Sequence, residues 1–192
     1  MKQSLITIAT MVLVGCAGIS KKELLKDKEE SPIISPASPV GETTTRPRAS
    51  IHRSARQGEV GYIIQHINAG TDVNEVNKSN GQIALHSAST HNHLPIIKIL
   101  IDSKANVNLK DNIGMTPLHL TALGGHNEAT KIIIDSGALL NLVNMYGETP
   151  LDTTLKNFEI DSQKVKLNKK EIAELLRKHG GKTGEELKAE GK

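Results

Sequence analysis

Three glycines, Gly81, Gly114 and Gly147, stand 33 residues apart, and each opens a related hexad. The hexads read Gly-Gln-Ile-Ala-Leu-His (81–86), Gly-Met-Thr-Pro-Leu-His (114–119) and Gly-Glu-Thr-Pro-Leu-Asp (147–152). Upstream, Ala49-Ser50-Ile51-His52 matches the same frame 34 residues earlier. A second landmark follows at a fixed step of 18, from His52 to Gly70, His86 to Lys104 and His119 to Gly137. Each of these positions starts a run ending in Asn: Asn74, Asn108 and Asn141. A period of this length means a stacked array. One unit is too small to bury its apolar face alone, so neighbours must supply the shared core.

Helix-boundary signals recur in the units. Pro117 and Pro150 suit a first helical turn, where a missing N–H costs nothing. Gly125-His126 supplies a break, and Gly70, Gly137 and Gly180 follow helix ends, where positive φ is wanted. Later in each unit come aliphatic stripes at helical spacing: Val60, Ile63, Ile64 and Ile67; Ile96, Ile97 and Leu100; Ile132 and Ile133; Ile172, Leu175 and Leu176. Ala55, Ala88 and Ala122 let paired helices approach closely. Period, hexad and Asn-ending run together resemble the ankyrin repeat, over residues 48–183. The resemblance implies an all-α solenoid of about four helix-turn-helix units with β-turn or hairpin tips. The units fall at 48–76, 77–110, 111–143 and 144–183.

Four departures stand out. Unit two has Ile83-Ala84 for Thr-Pro, which loses the family's Thr-to-His hydrogen bond. Its Lys104 replaces the glycine, so a looser helix end is expected. Unit four has Asp152 for His and about ten extra residues, 28 from Asp152 to Gly180 where other units have 18. The polar insertion near 158–169 reads as a protruding loop or an extended helix pair. The tail, 184–192, is polar and is expected to fray.

The N-terminus carries an address. Met1-Lys2-Gln3-Ser4 precedes an apolar stretch, Leu5 to Val14, too short to span a bilayer. Leu13-Val14-Gly15-Cys16 resembles the bacterial lipoprotein box. That resemblance implies a signal peptide at 1–15, acylation of Cys16 with palmitate-class chains, and a membrane anchor. The alternative is a buried Cys in an ordinary cleaved signal peptide. Several acyl chains give stable anchoring where one does not. Ala17, where an inner-membrane lipoprotein carries Asp, points to the outer membrane facing the periplasm, or to the cell surface. Residues 16–47 hold a charged run and four prolines among Ser and Thr, and read as a flexible tether reaching roughly 30 Å.

Composition narrows the function. Aromatic residues are 2% of the chain and Trp is absent, which argues against base-stacking surfaces and aromatic-rich β folds. With 24 Lys+Arg against 21 Asp+Glu, the net charge of +3 is too small for a nucleic-acid footprint. One cysteine excludes an internal disulfide and a Cys-rich zinc site. His52, His86, His119 and His126 occupy recurrent repeat positions and have structural roles there. Gly181-Lys182-Thr183 resembles the end of a phosphate-binding loop, but lacks the upstream glycine and strand. No catalytic set, metal site, cofactor or small-molecule substrate is expected. The alternative is an envelope enzyme or metal-binding protein using the His91–His93 region or the inserted loop.

Function must therefore come from a surface, and the family implies the concave face. There the candidate partner-binding residues are Ile113, Met115, Leu123, Met145 and Tyr146, with Arg56, Thr90, His91 and Lys156 at the helix ends. Exposed apolar clusters mark interaction sites, with Met and Tyr as adaptable anchors. The other reading is that these turn residues pack on neighbouring turns. The partner expected is another protein. A purely structural spacer remains a third reading.

Overall fold

The computed structural model describes residues 48–156 and 161–191. The signal peptide, Cys16, the tether and Phe158 lie outside the described residues.

Four helix pairs form in chain order: α1 (Ile51–Gln57) with α2 (Val60–Asn68), α3 (Ala84–Thr90) with α4 (Leu94–Asp102), α5 (Pro117–Gly124) with α6 (Asn127–Asp135), and α7 (Pro150–Leu155) with α8 (Gln163–Lys178). A ninth helix, α9 (Gly184–Ala189), follows. Among the described residues there are no strands. The connecting tips are turns closed by backbone bonds, among them Asn77 N to Gln82 O at 2.8 Å, and Asp111 N to Met115 O and Asn144 N to Glu148 O, both at 2.9 Å. This is the all-α solenoid expected.

One continuous core runs through the stack. Ile51, Ile63, Ile83, Leu85, Ile96, Ile97, Leu100, Leu118, Ile133 and Leu176 are fully buried, with Ala55, Ala88 and Ala122 at the helix contacts. Aliphatic and small side chains fill the narrow space between short helices. Ile64 departs from the expected stripe: it is 44% exposed, because the buried face of α2 runs through Ile63 with Val60 and Ile67 beside it.

The hexads become helix starts. Thr116 and Thr149 are N-caps, each with Pro at the next position. The missing hydroxyl at Ile83 removes one bond, yet His86 Nδ1 still accepts from Ile83 N at 3.3 Å. Lys104 does not loosen the end of α4. It takes φ +69°, and Ala105 N reaches Leu100 O at 2.9 Å, as Thr71 N reaches His66 O at Gly70. The geometry is kept at the cost of a left-handed residue with a side chain.

At the C-terminal end the insertion follows one of its two readings and the tail departs from expectation. The described part of the insertion is helical: α8 starts at Gln163, capped by Ser162, and runs 16 residues. Buried Lys169 pairs with Asp161 at 2.6 Å and with Lys156 O at 2.8 Å, which ties the insertion to the end of α7. The tail does not fray. Thr183 caps α9 and Glu186 answers in a capping box, while Arg177 bridges Glu186 at 2.6 Å.

α9 is the start of a fifth unit without a tip. Thr149 Oγ1 donates to Lys182 O at 2.7 Å, and Gly184 N donates to Asp152 Oδ2 at 2.8 Å. These bonds occupy the place that His119 Nε2 to Glu148 O, at 3.1 Å, holds one unit earlier. Gly184 stands where units three and four have Pro, so it offers an N–H that Pro could not. Asp152 is therefore suited to its position: its neighbour presents a donor, so an acceptor replaces the imidazole.

Candidate protein-interaction surface

The units are held in register by two polar ladders. In the first, Asn74, Asn108 and Asn141 each bridge to the next unit. Their amides donate to Lys104 O, Gly137 O and Gly180 O at 3.2, 3.3 and 3.2 Å, and their Oδ1 atoms accept from Asn106 N, Leu139 N and Lys182 N at 2.7, 2.7 and 2.8 Å. In the second, hexad histidines reach forward: His52 Nε2 donates to Glu75 O at 2.7 Å, His86 Nε2 to Met115 O at 3.1 Å, and His119 Nε2 to Glu148 O at 3.1 Å. His119 Nδ1 accepts from Thr116 Oγ1 at 2.8 Å. The rings of His86 and His119 each use one donor and one acceptor nitrogen, so they are held neutral. Burial lowers the His119 pKa to about 4 and lowers that of His86, against the opposing pull of their carbonyl partners.

These ladders fix the tips. Asn112 N donates to Asn80 O at 3.0 Å, and Met145 N to Ile113 O at 3.0 Å. The structure thereby brings Ile113, Met145 and Tyr146 side by side, at 44%, 64% and 67% exposure. Each of these tips also folds on an Asx bond, Ile113 N to Asp111 Oδ1 at 3.1 Å and Tyr146 N to Asn144 Oδ1 at 2.9 Å. Lys156 joins the row through its ammonium, 2.6 Å from Glu148, whose carboxyl is held below its usual range by Lys156 and Asn144.

Met115 does not belong to this row. It is 6% exposed, its N donates to Asp111 Oδ1 at 2.8 Å, and Asn144 Nδ2 covers its sulfur at 3.4 Å. The following hairpin seals it, so for this residue the packing reading is correct. Leu123 is half-buried at the end of α5.

Arg56, Thr90 and His91 are exposed and form a separate row at the helix-to-helix turns. His93 Nε2 donates to Arg56 O at 3.0 Å, and His126 Nε2 to Thr90 O at 3.3 Å. His91 Nδ1 donates to Ser87 O at 2.9 Å, and its ring stacks parallel on His93 with centroids 6.0 Å apart. One nitrogen of each ring is thus committed to a backbone carbonyl. Among the described residues no group of three His, Cys, Asp or Glu is placed to hold a metal ion. No described helix is long and apolar enough to cross a membrane.

Sequence spacing missed the fifth unit, although its signal is present. Gly181-Lys182-Thr183 ends in a Thr-x-x-Glu capping box, and Gly181 lies 34 residues after Gly147.

Comparison with known proteins agrees with this architecture. The profile of the family described as Ankyrin repeats (3 copies) matches residues 33–111 and 51–144, together more than half of the chain. An ankyrin repeat-containing protein of Schizosaccharomyces pombe is 29% identical over 75 residues, 39% of this chain and 35% of its own length. A putative ankyrin repeat protein of Rickettsia bellii is 36% identical over 72 residues, 36% of this chain and 39% of its own length. The chain thus spans little more than a third of the curated relatives it matches. Repeats of this kind indicate a role in protein–protein interaction. The 33-residue register, the stacked helix pairs and the profile match together place this chain in the ankyrin-repeat family.

Proposed function

We propose that this protein is a non-catalytic adaptor, tethered to a membrane through acylated Cys16, which binds another protein through its tip row. The observation that carries the reading is the contiguous apolar cluster of Ile113, Met145 and Tyr146. A soluble monomer keeps such side chains scattered, and a rim of polar groups around them is the pattern of a binding site. Lys156 lies near that cluster through its Glu148 pair, Leu123 adds a half-buried apolar side chain at the end of α5, and Arg56, Thr90 and His91 offer a polar second row. The fold by itself names no partner. The lipobox Leu13-Val14-Gly15-Cys16 supports the anchor, and Ala17 supports an outer-membrane or cell-surface location.

The test is crosslinking in the native envelope followed by mass spectrometry, with wild type, Ile113→Glu/Tyr146→Glu and Cys16→Ser compared. The tip variant is expected to lose the crosslinked protein while keeping its circular dichroism. Equal recovery removes the tip row from consideration. Cys16→Ser is expected to leave the membrane fraction, and equal membrane yield would sink the anchor.

A further inference from the structure

The tips pack as a ladder that stops one rung early. Asn80 O and Ile113 O each accept a backbone N–H from the next tip. Tyr146 O is the next acceptor in this register, and among the described residues it has no donor. Gly81 and Gly114 are covered by the backbone of the following hairpin. A Cβ on Gly81 would lie 2.7 Å from Asn112 N, and one on Gly114 would lie 2.9 Å from Asn144 Cα. On Gly147 it would meet only the far end of a side chain, Lys188 Nζ at 3.6 Å.

The cause is the missing fifth hairpin. Thr149 lies twelve positions after Gly137, but Thr183 lies only three after Gly180. The space so left is a groove of about 350 Å³ beside Gly147, with Val143 and Leu187 as apolar walls and Lys182 and Lys188 on its rim. No carboxylate lines it. Lys182 is paired with Glu190 at 2.5 Å, whereas Lys188 has no carboxylate partner among the described residues.

We propose that this groove docks an acidic turn segment of a partner protein, which takes the place of the absent hairpin and donates a backbone N–H to Tyr146 O. Charge selects the occupant. A second copy stacked head to tail would present its first described tip, Asn77 to Gln82, which holds Lys78 and no carboxylate. That tip would set ammonium against ammonium. An acidic turn supplies the N–H, the apolar contact and the charge together. The inference uses the end of the stack and, of the tip row, only the backbone carbonyl of Tyr146.

The experiment is fluorescence anisotropy with full-length protein and two fluorescein-labelled probes. One is Glu-Val-Asp-Asn-Gly-Glu-Leu-Glu, and the other has Lys at each acidic position. The acidic probe is expected to bind and the basic one not. Lys188→Glu, an exposed change, is expected to weaken the acidic probe by about twofold to fivefold, the scale of a surface charge pair. Leu187→Ala is expected to weaken it too, and Ile113→Glu to leave it unchanged. Equal binding of both probes, or indifference to Lys188→Glu, overturns the proposal. Loss with Ile113→Glu alone would put the probe on the tip row and overturn it as well. A dimer in sedimentation equilibrium that Lys188→Glu abolishes would make the occupant a second copy, against the proposal.

Discussion

Ser89 is fully buried and its hydroxyl has no hydrogen-bond partner. Counting three residues on from the hexad histidine, units one and three have Ala55 and Ala122 at this place. A buried hydroxyl without a partner costs its desolvation. Ser89→Ala is therefore expected to raise unfolding free energy by about 1 kcal/mol, read as a higher urea midpoint with an unchanged slope. A lower midpoint would show that the hydroxyl is satisfied. The position was only half legible. Small residues at the helix contact stand out in the sequence, but Ala88 catches the eye one place before the true register position. Met115 shows the same limit from the other side. Its hexad slot matches Gln82 and Glu148, and its burial depends on Asn144 of the next hairpin. Spacing along one unit cannot report what an adjacent unit covers, whereas Ile113, Met145 and Tyr146 lie at tip apices where little covers anything.

At the level of elements, α9 decides how the stack closes. Gly184 sits so close to the preceding tip that an added Cβ would collide with Gly147 O and come within 3.2 Å of its carbonyl carbon. Gly184→Ala is expected to release α9 while leaving α1–α8 folded. Hydrogen exchange would show lost protection over 184–191 with little change at 51–135. Unchanged protection at 184–191 would mean that α9 is held by its Arg177–Glu186 bridge instead of by its seat on Gly147. The helices of the first three units were legible because capping residues, aliphatic stripes and glycines all recur in step. α9 was not, because its unit has lost the loop that makes a repeat recognisable. Only the capping box remained, in a segment whose polarity reads as a tail. The helical extension at 163–169 was partly legible, as one of two readings of a polar insertion.

Across the molecule, the buried imidazoles link the stack to pH. Native His119 titrates near pH 4, and a free histidine near 6.5. Between these values the unfolded chain binds the extra proton and the native state does not, so stability falls as pH drops. The contribution is complete above pH 6.5 and is lost on acidification toward pH 4, by about 3 kcal/mol for His119. His86 is shifted in the same direction and adds to the loss. Chemical denaturation between pH 7 and 4 should show this fall, and His119→Gln should flatten it. A pH-independent midpoint would mean that the imidazoles protonate without breaking their carbonyl bonds.

The exchange of His for Asp at 152 also has a meaning for array length. A histidine at this place hands on a proton donor, and any following unit must receive it with a carbonyl. Asp152 hands on a lone pair, which the free N–H of Gly184 receives. A unit grafted after residue 180 and beginning with Thr-Pro, like units three and four, would lose that bond, because proline has no N–H to offer. A unit beginning like unit two, with Ala84 in the proline's place, would keep it.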